Sequence, residues 1–236
     1  MNTYRNEPAD TRSMGIVHSA LRRDLRRTRM VLDDPPPPDD SRRRAIAAHV
    51  LWMCRFLHRH HAGEDAGLWP LIRERDRSAG ALLDRMEADH ARIAPALAAV
   101  EEAAQAYGDD PSARERLLTT LSGLDDVLLP HLRREELEMM PVVAATITTA
   151  EYRAIEHEYF VAPKRFAELG MEGHWVIDGA TPTDRDAILS VVPAVPRFLI
   201  LHGFARRYRR QAALRWGDGP ASTVPALHVA SIEERT

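Results

Sequence analysis

Over the first 141 positions, apolar residues recur in steps of three and four, the period of helices that bury one face. One stripe runs Ile46, Val50, Met53, Leu57, His60, Glu64, and another runs Leu117, Leu121, Leu124, Leu128, His131, Glu135. Both advance by 4, 3, 4, 3 and 4, and each member of the second lies 71 positions after its counterpart. A second pair of stripes repeats at an offset of 72: Met14, His18, Leu21, Leu25, Thr28, Leu32 matches Met86, His90, Ile93, Leu97, Val100, Ala104. No alternation of period two predicts a strand. Consecutive prolines lack donors and clash with the preceding turn, so DDPPPPDD at 33–40 breaks the pattern. YGDDPSA at 107–113 breaks it again, with Pro111 suited to a helix start.

Between the breaks the chain is rich in the helix formers Ala, Leu, Arg and Glu. It predicts helices over about 11–32, 41–73, 78–106 and 112–140, with Pro95 and Pro130 bending or interrupting the last two. Thr148 to Glu151 reads as a capping box opening a fifth helix over 149–169. A glycine-containing loop follows, then helices over 184–192 and 197–216. The expected fold is all-α. Two repeated helical hairpins form an up-down four-helix bundle at 11–141. A helical C-terminal extension at 149–216 packs on the bundle or in a dimer interface, and 217–236 is a flexible tail.

A net charge of −3 argues against a strongly basic nucleic-acid binder. Cys54 is the single cysteine, which excludes an intramolecular disulfide and a cysteine-based zinc site and fits a reducing cytoplasm. No apolar run predicts a membrane span, and the N-terminus has no apolar leader core. The unusual entry is 11 histidines. The stripes turn His18, His60, Glu64, His90, His131 and Glu135 toward one core, where carboxylates are costly unless paired or metal-bound.

Imidazole and carboxylate without thiolate suit iron, manganese or zinc, and six such ligands are too many for one tetrahedral zinc. They fit two octahedral ions that share Glu64 and Glu135 as bridges, joined by an oxo or hydroxo group, with a position open to dioxygen, peroxide or nitric oxide. Helical bundles with related Glu and Glu-x-x-His ligation carry two irons. Manganese or zinc are the alternatives on purification.

His18, the block HHAGEDAGLWP, His90 in ADHARI and the block HLRREELEMMP resemble the hemerythrin-like, or HHE cation-binding, family over about 11–141. The resemblance implies a four-helix bundle around a non-haem di-iron centre with the six residues above as ligands. Met86 stands where oxygen-carrying members have a further histidine, which leaves the two ions alike. Those members also place the second carboxylate five residues after its histidine, where this chain has Glu136; Glu135 repeats Glu64 and is preferred. His61 and Glu136 are additional candidate ligands, whereas His49 and His58 fall off the stripe.

The expected function is a cytoplasmic di-iron protein that engages a small gas or peroxide in redox or stress chemistry. It is a catalase-, peroxidase- or nitric-oxide-reductase-like oxidoreductase or an oxidase, with a separate electron donor and a homodimer among its partners. The alternatives are an oxygen- or iron-sensing module with the extension as output, and a structural bundle with a histidine-rich core.

Overall fold

The structure, a computed structural model, describes residues 7–229. These residues form helices and no named strand. The Asp39 carboxylate accepts from the Arg42 amide at 2.8 Å, capping the helix that begins after the proline run. In chain order the bundle comprises α1 (Arg12–Asp33), α2 (Asp40–Gly63), α3 (Trp69–Arg75), α4 (Gly80–Asp109), α5 (Arg114–Arg134) and α6 (Met140–Thr146). The four long helices pack in a ring, α2 against α1 and α4, and α5 against α4 and α1. Their stripes meet in one core: Leu21, Ile46, Leu57, Ile93, Val100, Leu121 and Leu128 are all buried. Burying each such side chain stabilises the fold by roughly 1.5–3 kcal/mol.

The repeat extends to the backbone. After α2 the chain widens into a π-helical turn, Glu64–Leu68, and after α5 into another, Glu135–Met139. The Trp69 amide reaches back to the Glu64 carbonyl, and the Met140 amide to that of Glu135. Pro70 and Pro141 follow at once. A proline has no N–H, and its ring crowds the carbonyl four residues earlier, which favours a wider turn ahead of it. The expected helices 41–73 and 112–140 are therefore each divided at the residue that carries the carboxylate. Pro95 and Pro130, expected to bend or interrupt their helices, lie inside α4 and α5 without interrupting them. Each costs one hydrogen bond, while the surrounding Ile93, Leu97, Leu128 and Leu132 are buried and hold the helix in place.

Beyond the bundle lie α7 (Thr149–Ile155), α8 (Phe166–Ile177), α9 (Pro182–Ser190), α10 (Ala194–Leu199) and α11 (Ala205–Trp216). The Thr148–Glu151 capping box is formed. The expected helix over 149–169 becomes α7, a π-helical segment (Glu156–Val161) and the start of α8. The expected glycine loop is largely α8. Gly170 serves close approach there, since a Cβ on it would lie 2.4 Å from the Phe204 ring.

The extension docks through a buried polar network on α1. The Asp24 carboxylate accepts from Arg23 Nε (2.7 Å), from His49 Nε2 (2.7 Å) and from Trp175 Nε1 (3.0 Å). Arg23 also donates to the carbonyls of Trp175 and Asp178. Arg27 pairs with the Asp178 carboxylate at 2.6 Å and donates to the Val224 carbonyl at 2.9 Å. The expected tail is packed as far as it is described: Ala221, Val224, Ala226 and Leu227 are buried, because Arg27 and the Gly179 carbonyl hold their backbone. Residues 230–236 of that tail lie outside the described residues.

Candidate metal centre

One turn from the end of α2, and again of α5, the apolar stripe gives way to His and Glu. The structure brings His18, His60, Glu64, His90, His131 and Glu135 together in the core, with His61 among them; Glu64 and Glu135 have no exposed surface. Two sets of donors result. His18, His60 and Glu135 each offer a ligand atom within 4.8 Å of the others, and so do His61, His90 and His131.

The carboxylates connect the sets. Glu64 has one oxygen 3.1 Å from His60 Nε2 and the other 3.6 Å from His90 Nε2. Glu135 Oε2 lies 3.5 Å from His18 Nε2 and 3.6 Å from His131 Nε2. Each hairpin's glutamate therefore touches a histidine of its own hairpin and one of the other.

The next layer follows the same crossing. The Nδ1 of His90 lies 2.8 Å from the Asp65 carboxylate, and that of His18 lies 2.9 Å from Glu136. Asp65 and Glu136 are the repeat-related acids that follow Glu64 and Glu135. Glu136 thus faces the outer nitrogen of His18, and Arg22 pairs with it at 2.7 Å. With Nδ1 donating, the lone pair of each of these rings is at Nε2, aimed into the cluster; the tautomer is assigned from these partners. Asp89, paired with Arg92 and Arg134, lies 3.7 Å from His131 Nδ1.

The two halves differ at one position. The His61 ring stacks on that of His90 with centroids 4.1 Å apart. Its repeat-related position is Leu132, a core residue. Three histidines therefore gather on one side and two on the other, so the two donor sets differ in composition.

Burial governs the electrostatics. It pushes His60 and His61 well below the ordinary histidine range, and His131 down to about 2, so these rings stay neutral. Burial, reinforced by the negative charges of Glu135 and Asp65, raises Glu64 well above the carboxylate range, and burial raises Glu135 too. Both oxygens of Glu64 and of Glu135, Nε2 of His61 and of His90, and both nitrogens of His131 have no hydrogen-bond partner. So many orphaned polar atoms facing one another are costly for a fold, and cations placed among them would satisfy all those that face inward. Neutral imidazole and carboxylate oxygen without thiolate is a donor set for iron, manganese or zinc.

The π-helical segment after α7 covers this end of the bundle. A Cβ on Gly63 or on Gly67 would come within 2.4 Å of Phe160 or Tyr159 respectively, and the Phe160 ring lies 5.7 Å from that of His60. Met14, Trp69, Met86, Met139 and Tyr152 belong to a second buried apolar cluster. His49 belongs to the Asp24 network, His58 is exposed, and His174 faces the Ile200 carbonyl, so none of them joins the cluster. Asp65 was within reach of sequence reading, since an acid follows the glutamate in both repeats. The cover by Tyr159 and Phe160 left no such pattern.

This arrangement defines a class: a helical bundle that gathers neutral imidazoles and paired carboxylates to bind cations. The model of the hemerythrin HHE cation binding domain matches residues 11–143, more than half of the chain, and the chain belongs to that family. No curated protein and no solved structure matches it. Among the described residues no helix is long and apolar enough to cross a membrane.

Proposed function

We propose that this protein carries two non-haem iron ions and engages dioxygen, peroxide or nitric oxide in redox or stress chemistry. His61, His90 and His131 would hold one ion, His18 and His60 the other, and Glu64 and Glu135 would span both. The observation that carries this reading is the set of buried Glu64, Glu135, His61, His90 and His131 atoms that lack a hydrogen-bond partner. When bound, the iron pair supplies the change of oxidation state that the side chains lack.

The chain's own residues supply the rest. Asp65 and Glu136 hold the protons on His90 Nδ1 and His18 Nδ1 and so fix both rings. The buried carboxylates offset cationic charge. Leu57, Met53 and Leu128 exclude bulk water around them. The side with His18 and His60 offers fewer protein donors, which makes it the side for an exogenous ligand.

A second reading, a sensor with the extension as output, is favoured by one contact chain. Phe56 stacks on His60 at 5.9 Å and meets Trp175 of the extension at 4.9 Å. Turnover of peroxide or nitric oxide supports catalysis, and a stable oxygen adduct without turnover supports sensing.

The test is metal identity and stoichiometry in protein purified without added metal. Two irons per chain are expected. His60→Ala and His131→Ala should abolish the di-iron absorption band, and His49→Ala should keep it. Equal iron content in all three variants, or zinc alone in the parent, would overturn the proposal.

A further inference from the structure

Between α2 and the extension helices α8 and α11 lies a cleft of about 530 Å³, separate from the metal centre. That volume is in the range of small-molecule sites. Three aromatic side chains wall it, Trp52, Trp175 and Tyr208, with Trp52 and Trp175 edge to face at 4.9 Å. Ala45 and Ala48 keep the facing surface of α2 low.

The cleft's charge is positive. Arg55 and Arg207 are exposed at its rim, and Arg215 lines its interior. The acid on its wall, Glu168, is already paired with Arg59 at 2.5 Å.

Arg215 is only 6% exposed, yet its guanidinium has no carboxylate partner among the described residues, and its Nε has no hydrogen-bond partner at all. It lies over the rings of Tyr208 and Trp216, 6.0 and 5.5 Å from their centroids. Ring faces attract a cation but accept no hydrogen bond in the guanidinium plane, so they leave Nε unsatisfied. A buried charge of this kind is normally paired. Burial is the largest influence on Arg215 and lowers its affinity for its proton, while the charges of Asp24 and Asp178, beyond ion-pair distance, act the other way.

We propose that this cleft binds a small aromatic carboxylate, its carboxylate paired with Arg215 and its ring packed among Trp52, Trp175 and Tyr208. A guanidinium presents a planar fork that matches a carboxylate. A phosphate would call for more converging donors, and Arg55 and Arg207 remain in solvent.

The test is calorimetric titration of the purified full-length protein with indole-3-acetate and benzoate, and with the neutral indole-3-acetamide and benzamide. Saturable binding of a carboxylate at millimolar concentrations or below is expected, with the matching amide at least about tenfold weaker. Arg215→Met should weaken carboxylate binding by at least about tenfold and leave amide binding unchanged. Ala48→Trp lies at an exposed position, so folding is not at stake. It should fill the cleft and abolish binding while the helical circular dichroism stays as in the parent. Acid and amide binding alike, no saturable binding by either acid, or undiminished binding in the folded Ala48→Trp protein would each overturn the proposal.

Discussion

Asp24 is the best place to perturb the joint between bundle and extension. Its carboxylate is fully buried and receives Arg23, His49 and Trp175 at 2.7, 2.7 and 3.0 Å. Asp24→Asn keeps the shape and removes the charge. Arg27 retains Asp178 at 2.6 Å, so one cation, Arg23, is left with carbonyl acceptors alone. A buried charge stripped of its partner costs about 3–5 kcal/mol. For a chain of this size each kcal/mol moves the melting midpoint by about 2–4 °C, so a fall of roughly 6–20 °C is expected. The assay is thermal unfolding followed by circular dichroism. Limited proteolysis should cut the extension earlier in the variant, while iron content measured well below the midpoint stays as in the parent. Asp178→Asn is the control: its side chain is 28% exposed, and removing it should cost about 1 kcal/mol. The reasoning fails if Asp24→Asn loses less than about 1 kcal/mol, or if Asp178→Asn costs as much.

Three further outcomes follow from the same structure. Burial, and then the charge of Arg215, holds His49 down at about 4, so as pH falls the unfolded chain, titrating near 6.5, takes the proton first. Stability should therefore hold above pH of about 6.5 and fall by about 3 kcal/mol toward pH 4; a His49→Phe protein with an unchanged pH profile would count against this. Gly67→Ala forces a Cβ to within 2.4 Å of the Tyr159 ring, which should cost about 1–3 kcal/mol and speed iron loss to a chelator; normal melting and normal chelation would contradict the covering role. Asp65→Asn and Glu136→Gln should each weaken metal affinity about 10–100-fold in chelator competition by freeing His90 or His18, and parent-like affinity in both would show that these acids orient nothing.

The bundle was legible because its stripes carry helical period and repeat as blocks. Leu21, Val50, Ile93 and Leu121 each sit on the face their spacing demands. The convergence of His and Glu was legible for the same reason, since those residues occupy stripe positions that otherwise hold Leu. His61 stood one residue off the stripe, and periodicity alone could not tell a flank from a core position; stacking on His90 decides it. Arg23, Asp24 and Arg27 lie off the apolar stripe of α1, where a polar residue covered by a distant segment has the same local pattern as one in water. The large aromatics Trp175 and Trp216 were the available sign that something in the extension needed covering. Gly170 misled for a different reason. Glycine marks both chain breaks and close helix approaches, and only the position of Phe204 separates the two.

The crossing of acids between the hairpins has a consequence for dissection of the chain. Glu64 and Asp65 contact His90, and Glu135 and Glu136 contact His18, so neither half holds the whole donor cluster by itself. Severing the short connector at 76–79 should give two fragments that are each inert toward iron and that recover their capacity on being mixed.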